Sequence, residues 1–512
     1  MSDDDIFREM AGARQDQALG IDEAAPPARQ VTMDLEFPPE PFPDDFDINA
    51  YPFRGELLDR QVRALAEANL KPGHCCFMDP GGGKTGFIIA ESSALYEMGK
   101  IDGVIALAPN GPHEQIIDEQ FPEWCSVPWR GFHNKQRKRA IDGFFARANL
   151  DVMGVMAMNY DSLIQRSGRA LIDRFIERFP RFYMVYDESS KLKSHTARRT
   201  TESTLLGRRA AYRRLLTGTP ILKGPEDLYT QYDIAEPGIT GHRRFTSFRS
   251  YFCITQPIPG ARSRFAQKIV GYRNQSELKR RIAPYTTRIK SSEFRESANS
   301  LFMRVPTPMS REQAGAYRTM RDDLLADVSG EFITVENALS RMAKLLQIAS
   351  GYILDAEGNV QWLGDNKVNA VNDLVDELDE PIVMFAPFIA LQDALEEALR
   401  ARKDRPVTRY RGREDVLRWK RDGGVILGNQ SSGLGIGQNL QVAAATIYPA
   451  NTFSAEARWQ SVYRTDRTGQ TRQCRFWDMV TPDTIEGGVL TALAAKEELA
   501  NQTIDDIRRF LR

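Results

Sequence analysis

Lys84 and Thr85 stand directly after three consecutive glycines, Gly81-Gly82-Gly83, with an apolar run at residues 74–78 before them and a helical pattern at 86–97 after them. Glycines let backbone N–H groups curl around phosphate oxygens, and a helix N-terminus adds partial positive charge there. In that setting Lys84 would reach the β- and γ-phosphates of a nucleoside triphosphate, and the Thr85 hydroxyl would ligate Mg²⁺. The strict pattern G-x-x-x-x-G-K-[ST] is missed at one position, where Met78 stands. The order strand, glycine loop, helix favours a phosphate loop over a plain glycine turn.

Hydrolysis also needs a carboxylate for the metal and a group to handle water. Asp187-Glu188 ends the apolar run 182–186, at the carboxyl end of an expected strand, where open α/β sheets bind ligands. Asp187 is expected to hold Mg²⁺ through water, and Glu188 to orient or deprotonate the attacking water. Thr217 and Thr219 follow another short run and place hydroxyls that could sense the γ-phosphate. Taken singly, an acidic pair and a Thr-Gly turn are ordinary surface turns; the phosphate loop upstream gives them chemical meaning. Far along the chain, Arg464 and Arg467 lie three apart on an expected helix, hence on one face. Aimed at a γ-phosphate they would act as arginine fingers, so that hydrolysis requires closure of two lobes. The competing reading is two solvated arginines on a basic helix.

These side chains need a scaffold, and the apolar pattern supplies one. Short runs at 74–78, 104–108, 152–158, 182–186 and 214–216 each end at a polar or glycine-containing turn, as strands of a buried parallel sheet do. A second series lies at 382–386, 425–427, 446–448 and 475–480. Between the two, residues 226–377 read as mostly helical and charged. The expected fold is therefore α/β, two RecA-like doubly wound parallel-sheet lobes with a helical insertion between them. Residues 51–295 would form lobe 1, with the insertion starting near 225. Residues 296–512 would form lobe 2, with the insertion reaching to about 377.

Composition sets the outer limits. The net charge of −1 conceals an acidic stretch: residues 1–50 carry thirteen Asp and Glu against three Arg, which leaves +9 on the remainder. That stretch is also proline-rich and is expected to be extended or disordered. A basic body suits a polyanion partner. Five scattered cysteines, none in a C-x-x-C spacing, read as buried thiols of a reducing cytoplasm in place of zinc ligands or disulfides. No apolar run of about 18 residues predicts a membrane span, and no secretory signal is expected at Met1.

The motif order resembles the Swi/Snf-like ATPases of helicase superfamily two, in a minimal phage or bacterial form. Leu57-Leu58-Asp59-Arg60-Gln61 resembles the adenine-reading segment, with Gln61 as reader. Residues 79–85 resemble motif I, Ala108-Pro109-Asn110 motif Ia, and Asn159-Tyr160 motif Ib. Asp187-Glu188-Ser189-Ser190 resembles the Asp-Glu-Ala-His box, and residues 216–221 motif III. In the second series, 381–388 with Tyr410-Arg411-Gly412 resembles motif IV, and Ser432-Gly433-Leu434-Gly435-Ile436 motif V. Gln460-x-x-x-Arg464-x-x-Arg467-x-Gly469-Gln470 resembles motif VI.

The resemblance implies a nucleic-acid-dependent ATPase, most naturally a double-stranded DNA translocase. It adds Gln460 to the nucleotide site and makes Asn110, Lys191, Lys193 and Arg411 the expected nucleic-acid contacts. Ser189-Ser190 in place of Ala-His departs from the family, so the acidic box and motif III should be coupled differently. Gly437-Gln438 is an insertion in motif V. The chain is expected to act as a monomer in the cytoplasm of a bacterial or phage-infected cell. Two other readings stay open. One is an ATP-switched interaction protein whose acidic tail or insertion binds a replication or transcription partner; the other is an RNA helicase.

Overall fold

The computed structural model describes residues 33, 35, 37, 41–146, 151–221, 224–257, 267–294, 300–329, 335–355, 357–467 and 469–495. The chain forms two compact units that divide between Phe294 and Arg295.

The first unit is built on β1 (Gly73–Met78), β2 (Gly103–Ala108), β3 (Trp129–His133), β4 (Met153–Asn159), β5 (Phe182–Asp187) and β6 (Tyr212–Leu216). An antiparallel hairpin, β7 (Cys253–Pro257) and β8 (Gln267–Tyr272), follows, and β9 (Thr286–Ile289) returns to the main sheet. The seven strands run parallel in the order β3-β4-β2-β5-β6-β1-β9. Strand periodicity sends successive side chains to opposite faces. Cys75, Phe77, Ile105, Leu107 and Met184 accordingly enter one core, while Cys76, Met78, Val104, Ala106 and Val185 enter the other. Burial on both faces is why these strands read as unbroken apolar runs.

The second unit holds β10 (Ser300–Pro306), a small hairpin β11 (Tyr352–Leu354) and β12 (Val360–Trp362), then β13 (Ile382–Phe385), β14 (Val407–Arg409), β15 (Val425–Gly428), β16 (Ala445–Tyr448) and β17 (Cys474–Val480). Its six-stranded parallel sheet has the order β10-β17-β16-β13-β15-β14. Helices Arg311–Ser329, Val335–Ala349 and Ile485–Ala494 share a separate apolar core. Two parallel, doubly covered sheets match the expected α/β architecture.

Two expectations need correction. Residues 226–377 are not simply helical, because β9 and β10 lie in that span and complete one sheet each, beside two hairpins. Their sequences, Thr-Thr-Arg-Ile and Ser-Leu-Phe-Met-Arg-Val-Pro, mix polar with apolar residues, as edge strands tolerate, and so do not stand out as apolar runs. The acidic stretch 1–50, expected to be extended or disordered, lies mostly outside the described residues, but its described part packs. Met33 and Leu35 are buried in the first unit's core, and the Phe37 ring sits 5.6 Å from the Lys279 ammonium. Asp47 caps the short turn Ile48–Ala50 by accepting from the Asn49 N–H at 2.9 Å. Among the described residues, no helix is long and apolar enough to cross a membrane.

Candidate functional site

The phosphate loop leaves the carboxyl end of β1 and enters the helix Lys84–Glu97. Gly83 has φ +93°, and a Cβ there would stand 2.8 Å from the Gln61 amide nitrogen. Both the left-handed backbone and the close approach therefore require glycine. Gln61 Nε2 donates to the Gly83 carbonyl at 2.9 Å, and its Oε1 accepts from the Leu58 N–H at 2.8 Å. Reading a base with that amide would mean exchanging one of these bonds. Lys84 Nζ donates to the Met78 carbonyl at 2.9 Å, which folds the ammonium over the loop. Thr85 lies half-buried in the first turn of the helix.

Sequence reasoning missed the residues that brace this loop. Arg60 Nε donates to the Gly82 carbonyl at 3.1 Å, and its guanidinium lies 4.5 Å from the Phe294 ring centroid. Arg288, on β9, pairs with Asp79 Oδ1 at 2.8 Å and donates to the Phe77 carbonyl at 2.9 Å. Asp79 also accepts from the Ser291 N–H at 2.9 Å. Asp79 and Ser291 are 212 positions apart, and Arg288 is nearly as far, so no local pattern could reveal them.

β6 lies between β1 and β5. The segment leaving it therefore passes between the phosphate loop and the acidic pair. A Cβ on Gly218 would stand 3.0 Å from Pro80 Cδ, so motif III packs against the phosphate loop. On the other side Thr217 Oγ1 donates to Glu188 Oε2 at 3.1 Å and accepts from the Thr219 N–H at 3.1 Å. Glu188 is buried and adopts φ +50°, ψ +54°, a conformation that costs a residue with a side chain roughly 1 kcal/mol or more. Asp187 Oδ1 accepts from the Glu188 N–H at 3.1 Å. The Tyr160 hydroxyl donates to the Asp187 carbonyl at 2.8 Å, so the motif Ib tyrosine supports the acidic box. Asn159 caps the turn beside it by accepting from the Ser162 N–H at 2.9 Å.

The expected nucleic-acid residues divide. Asn110 and Lys191 are exposed, each on a turn beyond a strand. Lys193 requires correction: it is turned inward, donating to the Thr219 carbonyl at 3.2 Å, with Asp227 at 3.9 Å. Its ammonium thus ties this segment to motif III. Arg411 lines a cleft of about 300 Å³ with Arg400, Arg409 and Arg418. Arg409 there is engaged by Asp393 at 3.1 Å and Glu396 at 3.3 Å.

In the second unit, helix Ala455–Thr465 starts at Ser454, whose hydroxyl accepts from the Ala457 N–H at 3.2 Å. Gln460 is buried, with Nε2 donating to Glu456 at 3.1 Å. Arg464 Nε donates to the Gly435 carbonyl at 3.1 Å, which joins motif VI to motif V. Arg467 departs from expectation, because the helix ends at Thr465 and Arg467 lies in the bend beyond it. Gln470 is the physical reason: Nε2 donates to the carbonyls of Gln441 at 2.8 Å, Ala443 at 3.0 Å and Thr465 at 3.3 Å. Those bonds draw the chain off the helix axis. Arg458, also missed, sits buried on the same helix in a two-pronged pair with Asp478, at 2.7 and 2.8 Å.

The pattern of the SNF2-related domain matches residues 66–350, more than half of the chain. The chain belongs to the SNF2-related family. Among curated relatives of this SNF2-related chain, putative protein p41 of Acyrthosiphon pisum secondary endosymbiont phage 1 is 24% identical over 311 residues, covering 58% of this chain and 64% of the relative. Mouse (Mus musculus) chromodomain-helicase-DNA-binding protein 1-like is 25% identical over 352 residues, covering 65% and 37%. Uncharacterized ATP-dependent helicase MG018 of Mycoplasma genitalium is 22% identical over 343 residues, covering 64% and 31%. The SNF2-related chain thus spans less than two thirds of the length of these relatives. The solved Sulfolobus solfataricus SWI2/SNF2 ATPase core in complex with dsDNA aligns over 87% of this chain and 92% of its own, at 20% identity and a TM-score of 0.40.

Proposed function

We propose that this chain is an ATP-driven nucleic-acid motor that translocates on double-stranded DNA. The observation that carries the reading is the sheet order β5-β6-β1. It aligns three carboxyl ends, so that the acidic pair, the motif III threonine and the phosphate loop stand side by side, joined by the 3.1 Å bond from Thr217 to Glu188. That is the arrangement in which a γ-phosphate could be both held and sensed.

In this reading Lys84 exchanges the Met78 carbonyl for phosphate oxygens, while Gln61 and Gln460 contribute to nucleotide binding beside Gly81, Gly82 and Gly83. Thr85 and Asp187 fit a hard cation, being a hydroxyl and a carboxylate beside the loop, and would hold Mg²⁺. The metal would neutralise charge on the phosphates. Glu188 orients water, with its carboxylate kept in position by Thr217. Arg464 and Arg467 supply positive charge that would stabilise the transition state.

Asn110, Lys191 and Arg411 would grip phosphates without reading bases. A DNA track is supported by the similarity to the mouse chromodomain-helicase-DNA-binding protein 1-like and by the motif VI ending Arg467-Thr468-Gly469-Gln470. The five free, buried cysteines fit a reducing cytoplasm, and we place a monomeric motor there.

The test is ATP turnover with blunt duplex DNA, single-stranded DNA and RNA of equal length. Duplex should stimulate most, with binding that falls steeply as salt rises, and a third strand should be displaced from a triplex. Greater stimulation by RNA or by single-stranded DNA would overturn the duplex reading.

A further inference from the structure

The acidic box lacks the histidine of the family pattern, yet it is still wired to motif III, through a residue outside every motif. The Ser189 hydroxyl donates to Gln231 Oε1 at 2.8 Å. Gln231 Nε2 donates to the Pro220 carbonyl at 2.9 Å and to the Asp227 carbonyl at 3.0 Å. Both side chains are fully buried, so water cannot replace these bonds and each is costly to leave unmade. Ser190, at the histidine position, has its hydroxyl buried without a hydrogen-bond partner among the described residues, so of the two serines it is Ser189 that joins the box to Gln231.

Gln231 belongs to the helix Glu226–Ala235, and that helix clamps both segments at other points. Asp227 lies 3.9 Å from Lys193 Nζ, which itself reaches the Thr219 carbonyl at 3.2 Å. Thr230 Oγ1 donates to the Lys193 carbonyl at 3.2 Å. Residues 188–193 and 217–220 are therefore tied in parallel: directly by Glu188 and Thr217, and indirectly through the helix. A small displacement of Glu188 must be felt by Ser189, its neighbour, and passed by the Gln231 amide to the backbone of motif III.

We propose that Ser189 and Gln231 form a positioning relay that couples the nucleotide state at Glu188 to motif III and so to nucleic-acid stimulation. The relay rests on the ATPase reading above. It assigns Gln231 a role in that reaction without contact with substrate.

The experiment measures kcat and KM for ATP, with and without duplex DNA, alongside thermal unfolding. S189A and Q231L should each lower duplex-stimulated kcat by about tenfold, with KM for ATP changed by less than about twofold. Q231E keeps the acceptor for Ser189 but cannot donate to Pro220, and should lose stimulation likewise. The double variant S189A/Q231L removes the Ser189 hydroxyl that Q231L alone leaves unpaired, while the Pro220 carbonyl still lacks its donor, so thermal stability should rise above that of Q231L without reaching wild type, whereas stimulation should not return. Stimulation that survives in the single variants, or that returns with stability in the double variant, would overturn the relay. A wild-type protein that hydrolyses ATP but is not stimulated by nucleic acid would overturn the motor reading first, and the relay with it.

Discussion

Thr217 donates its hydroxyl to Glu188 Oε2 at 3.1 Å across the boundary between β6 and β5. The carboxylate that would orient water is thus aimed by a neighbouring hydroxyl, on a residue whose backbone is left-handed (φ +50°) at the start of the short turn Ser189–Leu192. Preorganisation of this kind lowers the cost of reaching the reactive geometry.

Replacing Glu188 by Gln should keep ATP binding and cut turnover by about 100-fold or more. Thr217→Val should cost less, about tenfold, because the carboxylate remains but loses its guide. Single-turnover hydrolysis beside equilibrium nucleotide binding checks both. Near-normal hydrolysis by the Gln variant would remove Glu188 from the mechanism.

Arg467 lies in the bend beyond its helix and Arg464 is tied to Gly435, so their substitutions should differ. Arg467→Ala should still bind ATP and DNA separately while losing about 1,000-fold of stimulated hydrolysis, as an arginine finger would. Arg464→Ala should in addition lower the unfolding temperature, since it releases motif V. An Arg467→Ala protein that fails only in DNA binding would assign that residue to the track.

The core of the first sheet holds a charge that is neutralised only by its partner. Arg214, fully buried, binds Glu91 through two nitrogens, Nε at 2.8 Å, and Tyr183 donates to the same carboxylate at 2.6 Å. Arg214→Ala should destabilise the fold by about 3–5 kcal/mol, because it strands Glu91 in the interior. The pair change Arg214→Met with Glu91→Gln should recover much of that loss. Calorimetric unfolding gives the comparison.

Burial, with smaller contributions from its neighbours, lowers the His113 pKa to about 4 from its ordinary 6.5. Its ring is fully inaccessible. His74 is shifted in the same direction, chiefly by burial and then by Arg214 and Lys71. The folded state therefore holds these rings neutral, and the unfolded chain takes up their protons first as the pH falls. The His113 contribution is complete above about pH 6.5 and is lost as the pH falls towards about 4, and the His74 contribution falls in the same direction. The unfolding temperature measured across that window should fall, and His113→Gln should flatten the slope. A temperature independent of pH between 6.5 and 4 would contradict this assignment.

The central strands were legible because parallel strands covered on both faces become unbroken apolar runs, and every such run found its place in one of the two sheets. Within those two sheets the strands that were missed, β3, β9, β10 and β14, are the four outer members. An edge is half covered, tolerates Arg288, Arg304 and Arg409, and leaves no periodic signal strong enough to read. By itself the sequence determined the residues whose backbone chemistry is local: the glycine loop, the acidic pair after its strand, the Gln-Arg-Arg run. Only tertiary structure decided which side chains hold these in place. Arg288 on Asp79, Gln231 between Ser189 and Pro220, and Gln470 turning Arg467 off its helix all act across long separations or through the carbonyls of other segments. Their partners are chosen by strand order and by the need of buried polar groups for a hydrogen bond, neither of which is written in any short stretch of residues.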